Sequence, residues 1–350
     1  MQKLKRLWDC LGLFGAVLVS LQWGQLAQAA SKTSQSNNIG FSVAAKIPDN
    51  QIDKKNSFFD LKLTKGQTET LKTTIYNVTA QDIKVQTAIH TAYTNENGAI
   101  EYVTPAKSFD QSLQYKMTDI TKLQGAKTVT IPANGSKVVS AQVQMPTSPF
   151  NGVILGGWYF KRVDQKVTSE VKGSMNIKNQ YSYVIGMKFT EGHVPAPKLS
   201  LDKVTVGMSN YHRGIFPYLR NTTAVIVPNL KTETTITSKN SGKVIKSAKK
   251  SGVQLAPNSV YRYPMLTGER KLQAGQYHLK MVVKNSEHKW VFEKDFAITA
   301  AAAKTYNAKS VDNAGINVIW FIVFGALGML ILVLLGLWLV FLIKKRRQSK

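Results

Sequence analysis

The chain has 350 residues, a formal net charge of +26 and one cysteine, Cys10. A lone cysteine excludes internal disulfides and any Cys-rich metal cage, and the length suffices for two hydrophobic cores. The positive balance points to an anionic neighbour, and nucleic acid is excluded because no zinc-finger, RNP or helix-turn-helix pattern accompanies it.

At the N-terminus, Lys3, Lys5 and Arg6 precede the apolar run Leu11 to Leu21, and Ala27-Gln28-Ala29 offers a small-x-small cleavage pattern. This reads as a secretory signal over residues 1–29. A second membrane anchor is the alternative, but the run is short and interrupted by glycine. Cys10 follows Trp8-Asp9, which does not fit a lipoprotein signal. The exported region is then free of thiols, as is common on Gram-positive cell surfaces.

Ser31 to Asn38 is polar and reads as a flexible leader. From Ile39 the pattern alternates with a period of two: Phe41, Val43, Ala45 and Ile47; Leu71, Thr73 and Ile75; Ile83 through Tyr93; Val129 and Ile131; Val139 through Met145. Turn residues at Lys65-Gly66, Asn95 to Gly98, Asn134-Gly135 and Pro146 to Gly152 separate these runs. Val153 to Phe160 is apolar on both faces, as a central, doubly covered strand should be. Gly156-Gly157 within it predicts a bulge or a close approach of another backbone. Lys166 to Asn179 reads as a loop, and Tyr181 to Phe189 as one more strand. The stiff segment Gly192 to Pro197 sets the expected border between a first domain, 39–192, and a second, 198–299. In the second, Leu199 to Val204, Val225 to Val227, Thr232 to Thr237, Val260 to Tyr263, Tyr277 to Val283 and Trp290 to Ile298 read as strands. No segment before Ala300 carries a helical period. The fold class is therefore all-β, with two immunoglobulin-like β-sandwiches.

Ala300 to Asn317 reads as a partly helical stalk of small and polar residues. Ile319 to Ile343 holds 25 residues without a charge, reaching about 37 Å as a helix, enough to cross a hydrocarbon core of about 30 Å. Trp320 lies near one boundary. Lys344, Lys345, Arg346 and Arg347 follow at once and place the tail, 344–350, on the cytoplasmic side. The expected topology is a single-pass type I protein in the bacterial plasma membrane, with its exported region facing the cell wall. Of the +26, the leader carries +2 and the tail +5, leaving +19 outside.

Chemistry-bearing motifs are sparse. The five histidines show no HExxH spacing, and no nucleophile elbow, P-loop or dinucleotide fingerprint occurs, so no cofactor is expected. Ser200-x-x-Lys203, Ser238-x-Asn240 and Lys250-Ser251-Gly252 follow the order used by penicillin-recognising enzymes. That chemistry needs its serine and lysine one turn apart on a helix, whereas Ser200 opens an alternating strand. An enzyme is not expected. Binding candidates are Asn95 and Asn97 in a hairpin turn, Trp158 and Tyr159 as sugar-stacking aromatics, and Lys243, Lys246, Lys249 and Lys250 as a contact for anionic polymer. For each a structural reading competes: turn chemistry, core packing (for at least two of Trp158, Tyr159 and Phe160), and gatekeeper lysines on a solvated hairpin.

Taken in order, Phe41-Ser42-Val43, Pro48-x-Asn50-Gln51, Phe58 to Leu61, Lys65-Gly66-Gln67, Thr94-Asn95-x-Asn97-Gly98 and Gly152 to Gly157 resemble the WxL-interacting proteins of Gram-positive bacteria. Asn179-x-Tyr181-x-Tyr183, Ala256 to Ser259, Ala274-Gly275-x-Tyr277 and Trp290 to Ile298 extend the resemblance through the second half. It implies a first domain that binds peptidoglycan and a second that binds WxL surface proteins and host extracellular-matrix ligands, both immunoglobulin-like. The family's border falls earlier than 192, soon after the Gly156-Gly157 strand. No Trp-x-Leu pair of the partner type and no LPxTG sorting signal is present. The expected function is a non-enzymatic, membrane-anchored scaffold or adhesin at the cell surface. An envelope chaperone that donates a strand edge is the first alternative, and a wall-acting serine enzyme using Ser200 is the second.

Overall fold

A computed structural model describes residues 40–164, 181–313 and 318–348. The expected signal, the polar leader and the Lys166 to Asn179 loop lie outside the described residues.

The first sandwich stacks two sheets. One orders β1 (Phe41–Lys46), β3 (Thr68–Asn77), β9 (Ser136–Gln144) and β7 (Thr121–Gln124). The other orders β2 (Phe59–Lys62), β11 (Ser182–Glu191), β10 (Gly152–Arg162), β4 (Ile83–Thr91) and β8 (Thr128–Ile131). Their inner faces bury Leu71, Ile75, Val85, Val143, Trp158, Phe160, Met187 and Phe189. β10 is central, as its apolar character predicts. Ile154, Gly156, Trp158 and Phe160 face this core, so Val153, Leu155, Gly157 and Tyr159 point the other way.

Gly156-Gly157 makes a close approach rather than a bulge, and the register with β4 and β11 runs unbroken through it. A Cβ on Gly156 would lie 2.4 Å from the His90 carbonyl oxygen and from Met117, which stands on the one-turn helix α1 (Met117–Ile120). A single turn is too short to leave a period in the sequence.

The second sandwich orders β12 (Leu199–Ser209), β13 (His212–Asn221) and β16 (Ser259–Arg262) in one sheet, with β17 (Met265–Leu266) also on β13. β15 (Val244–Leu255), β14 (Val227–Ser238), β18 (Gly275–Lys284) and β19 (Lys289–Ile298) form the other. β13 was not anticipated from the sequence because it contains Pro217. The strand tolerates a proline here because Pro217 turns its ring nitrogen to the β16–β17 side, where its carbonyl accepts from Tyr263 N–H, and the ladder on that side is interrupted between Tyr218 and Ile215.

Ala300–Lys309 is helical (α2), but it packs on the sandwich instead of standing off as a stalk. Thr299 caps it by accepting from the Ala302 amide, and Ala303 enters the second core. Asn307 exchanges two hydrogen bonds with the Leu272 backbone, at 2.8 and 2.9 Å. A helix with so little amphipathicity is held by these specific contacts. The last helix, α3, runs Val318–Gln348, and its stretch Phe321–Leu342 has a mean hydropathy of 2.7 and apolar side chains exposed along it. It is long and apolar enough to cross a membrane.

The two sandwiches meet along a mixed interface. Ala92, Val153, Leu155 and Ala256 form a small apolar cluster joined by Ile100, Tyr102 and Ile226, which covers the outer face of β10. Around it the backbones are joined directly: Gln254 N–H donates to Gly98 C=O and Val153 N–H to Ala224 C=O, both at 2.8 Å. Thr94 Oγ1 accepts from Ala256 N–H at 2.9 Å and lies 2.7 Å from Ser259 Oγ. Gly152, at φ +134°, permits the approach, since a Cβ there would sit 2.4 Å from the Ala224 carbonyl oxygen. Arg220 closes one end with a bidentate pair to Asp110, at 2.6 and 2.8 Å. Burial pushes the Asp110 carboxyl up, but the hydrogen bonds from Arg220 and Ser112 outweigh it and hold the group below its ordinary range.

Two outcomes are expected. Gly156→Ala should destabilise the ectodomain by about 1–3 kcal/mol, read from urea unfolding, because the His90 backbone cannot move aside cheaply. Asp110→Asn should cost about 2 kcal/mol at neutral pH. A depressed carboxyl contributes stability that is complete above about pH 4 and is lost as the pH falls through its lowered value. The melting temperature of Asp110→Asn should therefore fall less than that of the parent between pH 6 and pH 3. An equal fall in both would remove Asp110 from the account.

Candidate functional site

After β4 the chain leaves the first sandwich in a long excursion. It opens with a small hairpin, β5 (Tyr93–Thr94) and β6 (Ile100–Glu101), and ends at α1. Asn95 shapes the hairpin turn: its Oδ1 accepts from the amides of Asn97 and Ala99, at 2.9 and 3.2 Å, and its Nδ2 donates to Glu101. Glu101 also accepts from the amides of Val103 and Thr104. Burial raises its pKa, yet these donors win and its carboxyl lies below the usual range. Asn95 thus spends its polar atoms on the turn, and Asn97 stands exposed at the tip.

The excursion faces the β12–β13–β16 sheet across a cleft of about 690 Å³. Glu96, Phe109 and Asp110 line it from the first sandwich, and Lys203, Tyr218 and Arg220 from the second. Arg262 spans the junction. Its guanidinium lies over the Phe216 ring, 3.5 Å from the centroid, and donates to Met208 C=O, Tyr218 Oη and the Glu96 carboxylate. Ser209 donates to the other Glu96 oxygen. Lys203 Nζ sits 5.0 Å over the Tyr218 ring, and exposed Asp202 lies on the same wall. The cleft therefore presents both signs of charge and aromatic surface. Its deeper polar groups are already committed, since Ser259 Oγ donates to Ala256 C=O at 2.8 Å. Such a site can bind and orient a ligand by hydrogen bonds and stacking. Among the described residues no cluster of three or more His, Cys, Asp or Glu side chains is placed to hold a metal.

The other sequence candidates lie elsewhere. Trp158 is wholly buried, stacked on Phe160 at 5.4 Å and hydrogen-bonded to Thr87 Oγ1, so it offers no face to a sugar. Phe160 shares that core. Tyr159 points outward, half-buried, and stacks on His90 at 5.1 Å, while His90 Nδ1 contacts the Tyr102 carbonyl oxygen at 2.8 Å.

Three of the four lysines fall on β15, which is an edge strand, and the register splits them. Lys249 pairs opposite Glu233 on the outer face, at 3.6 Å, where Glu233 also meets Lys284. Lys246 and Lys250 stand opposite Ile236 and Thr232, both buried, on the core-facing side, where each is half-exposed. Lys243 is exposed at the hairpin end. These side chains do not form one cationic face, and inward-pointing lysines on an edge strand guard it against pairing with another chain.

Ser200 lies on β12, whereas Ser238 and Lys250 lie in the opposite sheet, so the three motif fragments assemble no common site. Glu96, Asp110, Arg220 and Arg262 carry the cleft and were missed by sequence reasoning. The partners in their ion pairs are 110 and 166 positions apart, and no local pattern announces them.

No curated protein matches the chain. Among solved structures, similar ones include a chaperone–tip adhesin complex of CFA/I fimbriae biogenesis (11% identity, 73% of this chain and 98% of that one, TM-score 0.30). The E. coli chaperone DraB (14%, 74% and 98%, TM-score 0.26) and the Pseudomonas aeruginosa CupB2 chaperone (13%, 68% and 97%, TM-score 0.23) are similar too. TM-scores this low carry no argument about what this chain does. Residues 41–162 match the family model "WxL Interacting Protein, peptidoglycan binding domain", and residues 172–308 match "WxL Interacting Protein, host binding domain". The second match thus takes in β11, which in the structure pairs with β10 and β2 of the first sandwich. Together the two matches span well over half of the chain, which is therefore a member of the WxL-interacting protein family.

Proposed function

We propose that this protein is a membrane-anchored scaffold of the cell surface. Its first sandwich, together with the facing wall of the second, holds peptidoglycan, the second also holds WxL surface proteins or host matrix ligands, and α3 fixes both to the plasma membrane from the wall side. The observation that carries this reading is the succession, in one chain, of the two family domains and a helix of membrane-spanning length. The Lys344 to Arg347 cluster after the apolar stretch supports a cytoplasmic tail. The mechanism is binding without chemistry.

The cleft is the site proposed for the wall ligand. Its volume lies within the range of small-ligand sites, and it opens where the two domains adjoin. Lys203 and Asp202 suit a ligand bearing both charge signs, as the peptide stems of peptidoglycan do. Tyr218 gives it an aromatic wall.

The test is retention of the ectodomain, residues 39–313, on purified peptidoglycan over a salt series. A shaped site should hold the protein at 1 M salt, where the screening length is about 3 Å. Tyr218→Ala should weaken that retention about tenfold, given an aromatic contact worth about 1–2 kcal/mol. Complete release by moderate salt would show that only the net charge is being read. Salt-resistant retention unchanged in Tyr218→Ala would move the wall site out of the cleft.

A further inference from the structure

The two most exposed large apolar side chains among the described residues outside α3 are neighbours. Tyr211, at the tip of the β12–β13 hairpin, is 76% exposed, and Val311, in the short 3-10 turn Val311–Asn313, is 62% exposed. The Val311 amide donates to the Tyr211 carbonyl oxygen at 3.1 Å. The turn is held to the hairpin on both sides: His212 Nδ1 contacts Asp312 Oδ1 at 2.7 Å, and the Arg213 amide donates to Ser310 Oγ. Asn210 and Tyr211 both have positive φ, 47° and 65°, so the tip is a tight two-residue turn that projects the phenol outward.

This patch lies where the chain departs for α3. Only four residues, 314–317, separate Asn313 from Val318, so the first residue of the helix lies within about 18 Å of the turn whatever path they take. The polar layer of a bilayer leaflet occupies about 5–8 Å beyond the hydrocarbon. The hairpin tip is thus confined to the neighbourhood of the membrane face, and the side chain it presents there is the amphipathic type enriched at that interface.

The charges beside the tip fit as well. Arg213 is buried and donates to the carbonyl oxygens of Gly268, Glu269 and Arg270, which fastens the exposed 268–271 loop beside the hairpin. That loop carries Arg270 and Lys271 against Glu269. Exposed Lys309 precedes the turn, and the one acid of the turn, Asp312, is occupied by His212. Apolar tips rimmed by cations are the pattern of an anionic lipid surface.

We infer that the Tyr211–Val311 tip seats in the headgroup layer of the anionic membrane that α3 enters, as a second contact that fixes how the ectodomain stands on the lipid. The inference rests on the proposed membrane anchoring of α3, and the test separates the two.

The full chain, with Cys10→Ser, would carry an environment-sensitive dye on one cysteine at a time: Tyr211→Cys, Val311→Cys, Leu330→Cys in α3 and Val138→Cys on the first sandwich. Each would be reconstituted into phosphatidylglycerol–phosphatidylethanolamine vesicles carrying nitroxides on the headgroups, which read positions 211, 311 and 138, or at mid acyl chain, which read position 330. Docking predicts blue-shifted, nitroxide-quenched emission from positions 211 and 311, quenching at 330, and a water-like, unquenched signal at 138. The position 311 label carries the test if cysteine strains the positive-φ turn at 211. Quenching at 330 with water-like signals at 211 and 311 would overturn the docking and leave the anchor standing. A blue shift at 211 and 311 without lipid quenching would give the patch to a second copy of the chain, which also overturns it. No quenching at 330 would remove the anchor, and the docking with it.

Discussion

The direct joining of the two sandwiches is the constraint on which the rest of the structure depends. Domains in one chain commonly meet through polar, yielding surfaces and move against each other. Here Gln254 and Val153 donate main-chain hydrogen bonds across the junction, Thr94 ties in the Ala256 amide, and Arg220 holds Asp110 in a bidentate pair. The apolar residues between them cover a strand face that would otherwise lie open. A ligand seated in the cleft touches both domains, and a pull on one is passed to the other without a hinge. For the scaffold proposed above, that coupling is the useful mechanical property.

The charge of the protein takes a different form in three dimensions from the one it has along the chain. Lys239 to Lys250 is a cationic run in the sequence, but folding distributes it over two faces and sets two of its lysines, Lys239 and Lys249, against the acids Asp295 and Glu233. Lys249 and Lys284 share Glu233, Lys280 meets Glu293, and Lys239 pairs with Asp295, which His278 also contacts. Hydrogen bonds from these cations hold all three carboxyls below their ordinary range. On an exposed sheet such pairs contribute little to stability. Their effect is to order the outer face of the second sandwich, while the net positive charge, in which these acids are already counted, is unchanged by the pairing.

Much of the fold was legible because its cause is local. Alternation at Phe41, Leu71, Ile83 and Val139 follows from one face of each strand packing inward, and β10 reads as apolar on both faces because both are covered. What covers its second face was not legible, since the excursion after β4 and the other domain supply it together. β13 was hidden by Pro217, whose missing donor falls at the break between the β16 and β17 pairings, a feature that only the assembled sheet shows. The site was less legible still. Asn95 was singled out as a possible ligand contact because turn residues and binding residues share a chemistry, and only the structure shows its polar atoms turned onto its own backbone. Trp158 was ambiguous for the same kind of reason, because a buried and a sugar-stacking tryptophan look alike in sequence. Arg220 and Arg262 gave no signal at all, as their acids are supplied by a different domain.

The claim that the two domains act as one body can be measured amide by amide. Hydrogen exchange of the Gln254 and Val153 N–H groups reports the junction alone, because each donates across it. If the coupling is as described, both should exchange only through global unfolding, with protection equal to that of central β10 and β14 amides and the same denaturant dependence. Exchange of Gln254 and Val153 through a separate, low-energy opening, while the two cores stay protected, would mean that the sandwiches part in the native state and would contradict the account.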